Sequence, residues 1–407
     1  MRPDVGQRIK SLFIWAGIFF VCAAVADHLV LPALVGTRPS PGLLFPPGSS
    51  FPYQTPEFSH QAQINSLGFR DREWELEKKK STTRIVAIGD SFTFGMGVEL
   101  NQTWTKILEQ KLRAQGFDVE IANLGSPGAD PASYDELTQK AIPLLKPDIL
   151  LIAILQGDDL AQATKQIQSE QNAKKKSRFN RFTLLFKQTI QYLYPNFYRL
   201  VHDYLSNGST FKSKERLLEN IWKDQAERLT AGYKGEKKAR LNSMGATPRD
   251  MFLRGHLNPG FVSIAISDPE YFATPLQTEN PLVENALERM RDHLLNMKKT
   301  AADAEMIVLS IPLGVYVSEN VRQAANEIGF TTLPEMLHTT RPDESLKKIC
   351  AETGIPFLSV TESFRRQCKE EFLYYKYDGH FNARGHEFFV SQLLPLIQQR
   401  IFAKESD

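Results

Sequence analysis

Cysteine is nearly missing from this 407-residue chain: Cys22, Cys350 and Cys368 are the only three, and none belongs to a Cys-x-x-Cys pair. That excludes a disulfide scaffold and a cysteine-ligated zinc site. The eight histidines are scattered without a His-Glu-x-x-His spacing, and there is no Walker loop or dinucleotide-binding glycine fingerprint, so no metal or cofactor is expected. Charge of one sign is also lacking. Forty-nine Lys and Arg face 47 Asp and Glu, a formal charge of +2, too even for a body that wraps nucleic acid. Hydrophobic residues at 42% and charged residues at 24% exclude a disordered, collagen-like or polytopic membrane chain. The charge balance does break locally. Residues 161–250 hold 18 Lys and Arg against 8 Asp and Glu, a basic segment in an otherwise acidic protein.

Long apolar runs are absent except at the amino end. Residues 12–26 carry no charge, residues 29–35 resume the run, and Arg2, Arg8 and Lys10 precede it. A basic flank before roughly 20 apolar residues predicts a transmembrane helix with its amino end in the cytoplasm. The body is then extracytoplasmic, periplasmic or at the cell surface. Ala24-Val25-Ala26 also resembles a signal-peptidase site, so a cleaved signal segment is the alternative. In such a compartment Cys350 and Cys368 are free to pair, and two separate buried thiols fit equally well.

Prolines crowd residues 37–60, which reads as a linker. From residue 84 short apolar runs alternate with amphipathic ones: strands at 85–88, 119–124 and 149–155, helices at 103–114 and 132–145. That is the rhythm of a parallel α/β sheet. Residues 160–280 interrupt it with helical spacing, notably at 182–205. It resumes with helices at 282–302, 343–353 and 385–401 and strands at 306–311 and 357–360. The expected organisation is a membrane anchor or signal segment at 1–36 and a linker and entry segment at 37–80. A first half of the α/β domain at 81–160, a basic helical insertion at 161–282 and a second half at 283–407 follow.

Three segments fall at carboxyl ends of predicted strands, where open α/β sheets place their sites. Gly89-Asp90-Ser91 follows the first, and its glycine permits a tight strand-to-helix turn that leaves Ser91 at a helix mouth, as a nucleophile or simply as an N-cap. Asn123-Leu124-Gly125-Ser126-Pro127-Gly128-Ala129-Asp130 is a glycine-rich loop, able to bring a backbone N–H to a ligand or to serve as a plain turn. Asp378-Gly379-His380 precedes the last helix. A carboxylate beside an imidazole orients the ring and stabilises its cation, which a base for a hydroxyl nucleophile requires.

Together these segments resemble the SGNH, or GDSL-type, serine hydrolases, in particular their membrane-anchored bacterial branch. The resemblance implies a flavodoxin-like three-layer α/β sandwich with a five-stranded parallel sheet and a long helical insertion after the third strand. It implies Ser91 as nucleophile, His380 as general base and Asp378 as its partner, with the backbone N–H groups of Ser91 and Gly128 as oxyanion donors. Asn382 and Gly385, two and five residues after His380, select it over His386. Asp378 precedes His380 by two residues rather than the commoner three. Asn65-Ser66-Leu67-Gly68-Phe69-Arg70-Asp71 and Asn258-Pro259-Gly260 also look like segments of anchored members. The family's third block departs: Gln156-Gly157-Asp158-Asp159 puts Asp158 where an asparagine donates to the oxyanion, and an ionised carboxylate only accepts.

The implied activity is hydrolysis of an ester through an acyl-serine, with an acyl group such as acetyl on a carbohydrate or other envelope component as substrate. The alternatives are an O-acyltransferase of the same fold or a non-catalytic envelope scaffold. The basic run Lys174, Lys175, Lys176, Arg178 and Arg181 is a solvated helix face or a surface for anionic lipid or polysaccharide. Trp104, Trp222, Tyr192, Tyr194 and Tyr198 belong to the core or stack on sugar rings. No nucleic-acid partner is expected.

Overall fold

Residues 50–63, within the segment read as a linker, form an antiparallel hairpin of β1 (Ser50–Gln54) and β2 (Ser59–Gln63). Its cross-strand pair Tyr53 and His60 stacks ring on ring at 4.6 Å, and Phe58 packs on Tyr375 at 5.0 Å. The prolines there exclude helix, as expected, but they do not prevent an isolated two-stranded ribbon from leaning on the body. The computed structural model describes residues 42–176 and 218–405, with Trp15, Ala23 and Asp27 besides. The rest of the apolar run at 12–35, the helical expectation at 182–205 with Tyr192, Tyr194 and Tyr198, and the side chains of the basic run at 174–181 lie outside the described residues. Among the described residues no helix is long and apolar enough to cross a membrane.

The body is built on a parallel sheet of β3 (Thr83–Gly89), β4 (Val119–Gly125), β5 (Ile149–Leu155), β6 (Glu305–Ile311) and β7 (Phe357–Ser359), in the order β4-β3-β5-β6-β7. Every residue of β5, Ile-Leu-Leu-Ile-Ala-Ile-Leu, is buried, because helices cover both faces of a parallel sheet. Alternation decides which side each residue serves. Ile85 and Ala87 of β3 enter one hydrophobic core, and Val86 and Ile88 the other.

Helices follow the strands in chain order: α1 (Ser91–Phe94), α2 (Trp104–Ala114), α3 (Pro131–Leu145), and then α4 (Asp158–Lys176). The described residues from there to β6 are helical: α5 (Leu218–Gly232), α6 (Gly235–Ser243), α7 (Ala246–Leu253), α8 (Pro259–Ser267) and α9 (Pro281–Ala301). The chain closes with α10 (Glu319–Ile328), α11 (Arg341–Thr353), α12 (Thr361–Gln367) and α13 (Ala383–Glu405). One face carries α2 and α13, whose Trp104 and Phe389 meet edge to face at 5.5 Å. The other face carries α3, α9 and α11, through Leu137, Met290 and Ile349 among others. Local signals start several of these helices. Asp130 caps α3 by accepting from the Ser133 N–H, Asn280 caps α9 through Leu282, and a proline occupies the first turn of both.

Trp104 and Trp222 are buried and belong to packing rather than to a sugar platform. Cys350 lies in one core while Cys368 packs against the other, and both are free, so the pairing that the sequence left open is not formed. Burial pushes both thiols up to about 12, which leaves them unreactive at neutral pH.

Candidate active site

Gly89 ends β3 against α1 so closely that a Cβ there would lie 2.2 Å from Thr93 Oγ1 and 2.9 Å from the Ala153 carbonyl. Gly125, its partner at the end of β4, faces the same turn, where a Cβ would lie 1.9 Å from the Phe94 nitrogen. Asn123 locks the contact by donating to the Thr93 carbonyl at 2.8 Å and accepting from the Gly125 N–H at 2.9 Å. Helix α1 is a single turn. Asp90 caps its start by accepting from Phe92 N–H at 3.0 Å, and Gly95, with a φ of 84°, ends it.

The Asn65–Asp71 segment braces this turn from below. The buried Arg70 guanidinium donates to the carbonyls of Phe94, Gly95 and Val98 at 3.0, 2.6 and 2.6 Å, satisfying acceptors that so short a helix leaves over. Asp71 accepts from the Asn123 N–H at 2.8 Å and pairs with Lys106 at 2.7 Å. The segment that the sequence marked only by likeness is therefore the floor of the nucleophile turn.

Ser91 projects from the first position of α1, and its Oγ lies 2.7 Å from His380 Nε2. The other ring nitrogen, Nδ1, lies 2.5 Å from Asp378 Oδ1. Gly379 adopts a φ of 80°, which lets residues only two apart turn their side chains toward each other and accounts for the short spacing. Asn382 and Gly385 act on the backbone. Asn382 accepts from the Gly385 N–H at 3.0 Å and donates to the Phe372 carbonyl at 2.8 Å, while Gly385 passes close to the Leu373 carbonyl. Glu57, at the tip of the hairpin, accepts from the Tyr377 and Asp378 N–H groups at 3.0 and 2.8 Å. Sequence reasoning missed Glu57, since nothing local distinguishes it from a solvent-facing turn residue.

Electrostatics set the state of the imidazole. Burial disfavours its cation, but the bonded Asp378 carboxylate more than reverses this, and Asp90 and Asp158 add to it, so the His380 pKa is raised above its ordinary value. His386 behaves oppositely. It is buried in the core, accepts from the Trp104 N–H at 3.2 Å, and burial pushes it down to about 3. Three carboxyl groups sit under the site, with Asp90 and Asp159 among the buried residues. Burial and the neighbouring Asp158 push Asp90 up to about 7, and burial with Asp90 and Asp158 raises Asp159 strongly. Acids crowded this closely oppose one another's ionisation.

Asp158 opens α4, and both its oxygens are engaged: Oδ1 accepts from Tyr271 at 2.7 Å and Oδ2 from Gln162 at 2.5 Å. Burial raises it, and those two bonds oppose the shift. The side chain therefore serves as an acceptor, and the asparagine-like donor of the family's third block is not reproduced. The Ser91 and Gly128 N–H groups, in contrast, have no acceptor among the described residues. Gly128 has a φ of 75°, in the left-handed region that favours glycine. Ser91, Gly128, Asp158, Asp378 and His380 all line one cavity of about 440 Å³, together with Asn258 and Gly260. His386 does not. Among the described residues no group of His, Cys, Asp and Glu is arranged to hold a metal.

A turn that presents a serine to a half-buried His–Asp pair, at the carboxyl edge of a parallel sheet, defines a serine hydrolase of the acyl-transfer class. The GDSL-like lipase/acylhydrolase family profile matches residues 85–393, and the chain belongs to that family, the SGNH-type ester hydrolases. Solved structures with a similar chain path include the lipase/acylhydrolase from Enterococcus faecalis, at 12% identity and a TM-score of 0.37, covering 78% of this chain and 96% of that one. A G-D-S-L family lipolytic protein from Veillonella parvula aligns at 10% identity and 0.35, covering 78% and 98%. The esterase EstA from a Pseudoalteromonas species aligns at 11% and 0.35, covering 78% and 98%. No curated protein matches the chain.

Two outcomes follow from the geometry. His380→Ala should lower ester hydrolysis by 10³-fold or more, whereas His386→Ala should keep the activity of whatever protein folds while lowering the unfolding midpoint, because Trp104 N–H loses its acceptor. The reverse pattern in a paired activity and melting measurement would remove His380 from the site. Asp158→Asn removes a negative charge that favours the His380 cation, so the acid limb of the kcat/KM–pH profile should move to lower pH. A limb that stays in place would mean that Asp158 carries no charge where His380 titrates.

Proposed function

We propose that the protein cleaves an acyl ester of a carbohydrate or other envelope component through an acyl-serine intermediate. The reading is carried by the continuous Ser91–His380–Asp378 relay, at 2.7 and 2.5 Å. His380 takes the Ser91 proton as Oγ bonds to the substrate carbonyl carbon, and Asp378 stabilises the imidazolium. The developing oxyanion is met by the Ser91 and Gly128 N–H groups. Collapse breaks the bond to the leaving alcohol, which leaves with the proton from His380. Water then repeats the cycle in reverse and frees the acid. If a second hydroxyl replaces that water, the same residues perform acyl transfer. The assembled relay weighs against the scaffold alternative, which has no use for it.

The envelope assignment rests on residues 12–35 with Arg2, Arg8 and Lys10 before them. We propose a retained membrane anchor with the body outside the cytoplasm, close to acylated glycans or lipids, and the basic run at 174–181 as a contact for anionic headgroups or polysaccharide.

Wild-type protein should react covalently with a fluorophosphonate, and Ser91→Ala should not, with the two unfolding midpoints within a degree or two. Absence of labelling in the wild type would sink the hydrolase reading. A reporter active only outside the cytoplasm, fused after residue 60, should be active and stay with the membrane through a salt wash. Release of a soluble fragment beginning at Asp27 would instead establish a cleaved signal segment.

A further inference from the structure

Among the described residues the Asp378 carboxylate is hydrogen-bonded to one residue only. Its Oδ1 accepts from His380 Nδ1 at 2.5 Å and from the His380 N–H at 3.4 Å, and no donor from another segment meets it. Where this short side chain points is therefore settled by the backbone that carries it. The loop closes on itself in two places: Tyr375 N–H donates to the His380 carbonyl at 2.9 Å, and Gly379 N–H to the Tyr375 carbonyl at 3.1 Å. The N–H groups of Tyr377 and Asp378 have no backbone acceptor in it. They donate across to Glu57, at 3.0 and 2.8 Å.

Glu57 is itself held in place. Its turn, Thr55-Pro56-Glu57-Phe58, is closed by Thr55 N–H donating to the Phe58 carbonyl at 2.9 Å, and Thr55 Oγ1 accepts from the Glu57 and Phe58 N–H groups, both at 3.2 Å. Phe58 packs on Tyr375, whose hydroxyl donates to the Gly97 carbonyl at 2.7 Å, so the hairpin tip, the His loop and the segment after the nucleophile turn are tied together. The placement is unfavourable for an acid. Burial raises the Glu57 pKa and the Asp378 charge adds to the shift, against the pull of the Tyr377 and Asp378 N–H groups. Apolar packing would cover the loop without setting one acid beside another. Glu57 also lies outside residues 85–393, the stretch matched by the family profile, so the brace belongs to this chain's own entry segment.

We propose that Glu57 is a positioning residue of the relay: by holding the Tyr377 and Asp378 amides it fixes the backbone from which Asp378 reaches His380. The proposal rests on the hydrolase reading, because only an enzyme that uses His380 as its base needs Asp378 in place. Glu57 does not border the cavity at Ser91, so its effect falls on proton transfer rather than on substrate binding. The titratable groups that face His380 are Asp378 on its own loop, Asp90 from the nucleophile turn, Asp158 from α4, and His60 from β2, which burial pushes down to about 3 and so leaves uncharged. Of these, Asp378 gives the His380 cation its largest support. A loop that drifts weakens that support, and His380 then titrates at a lower pH.

The test compares full-length wild type with Glu57→Ala, Glu57→Asp and Glu57→Gln on p-nitrophenyl acetate. Glu57→Ala should lower kcat by about 10²-fold, the cost of misplacing a reacting group by about 1 Å, and leave KM within about twofold. The acid limb of its kcat/KM–pH profile should move to lower pH. Glu57→Gln keeps an oxygen that accepts from the amides, and should return kcat to within about tenfold of wild type with the acid limb restored. Glu57→Asp keeps the charge but withdraws the oxygens by one methylene, so a downward shift of its acid limb with a kcat loss of about tenfold separates geometry from charge, and carries the test where Glu57→Ala does not fold. Fluorophosphonate labelling distinguishes misplacement from misfolding: in the variants the final labelled fraction should equal that of wild type, while the labelling rate falls with kcat. A smaller labelled fraction with wild-type kcat per labelled site would make Glu57 an anchor of the fold and overturn the proposal. Unchanged kcat and pH profile in all three variants, or a raised KM at unchanged kcat, would overturn it and leave the hydrolase reading intact. A wild type that neither cleaves the ester nor takes the label would overturn the hydrolase reading and the role of Glu57 with it.

Discussion

The site depends on how closely a single helical turn can be laid against the ends of two neighbouring strands. Gly89 and Gly125 are paired in register, and a methyl group on either would collide with the Ser91–Phe94 turn. That contact sets the height at which Ser91 stands above the sheet. It also leaves the carbonyls at the end of the turn without helical partners, which is why a buried arginine lies beneath them. Arg70 donates to the Phe94 and Gly95 oxygens and to that of Val98 beyond them, and stacks over Phe94, its charge spread over carbonyl dipoles rather than over a carboxylate. Asp71 beside it holds the second strand end through Asn123. Removing any of these links would change the position of the nucleophile before it changed the chemistry.

Charge is the second constraint. Asp90, Asp158 and Asp159 lie under a histidine that must gain and lose a proton, and acids crowded this closely oppose one another's ionisation. All three also hold the fold together, since Asp90 caps α1, Asp158 accepts from Tyr271 and Gln162, and Asp159 accepts from Tyr134 and the Leu155 N–H. Against the cost of burial, the bonded Asp378 and, behind it, Asp90 and Asp158 favour the His380 cation, so this imidazole is protonated at a higher pH than a free one. In the proposed mechanism, an acceptor at 158 leaves the oxyanion to backbone donors and favours the His380 cation instead.

Much of the fold was legible in the sequence, for a simple reason. Strands buried on both faces read as short unbroken apolar runs, as Ile149–Leu155 does, and the helices that alternate with them carry one apolar stripe and ordinary caps. The relay residues were legible only through the likeness of three segments taken together, because Gly89-Asp90-Ser91 by itself reads equally as an N-cap and the glycine-rich loop as a plain turn. The choice of His380 over His386 followed from the offsets of Asn382 and Gly385, whose hydrogen bonds and close approach to the loop backbone give those offsets a physical basis.

What the chain alone determined, then, was the order of strands and helices, since that follows from periodicity, and a short set of candidate groups at strand ends, whose roles came from their likeness to a known family. Only the tertiary structure decided what lies more than a turn away. The hairpin tip that brings Glu57 to the Asp378 amide and the Tyr271 hydroxyl that engages Asp158 from 113 positions along the chain are contacts between segments with no sequence relation. Pairing of Cys350 with Cys368 was likewise a matter of place, and the two thiols sit in different cores. Local pattern specifies what a segment can present, whereas the choice among its possible partners is made by packing, which is non-local and leaves no periodic trace in the sequence.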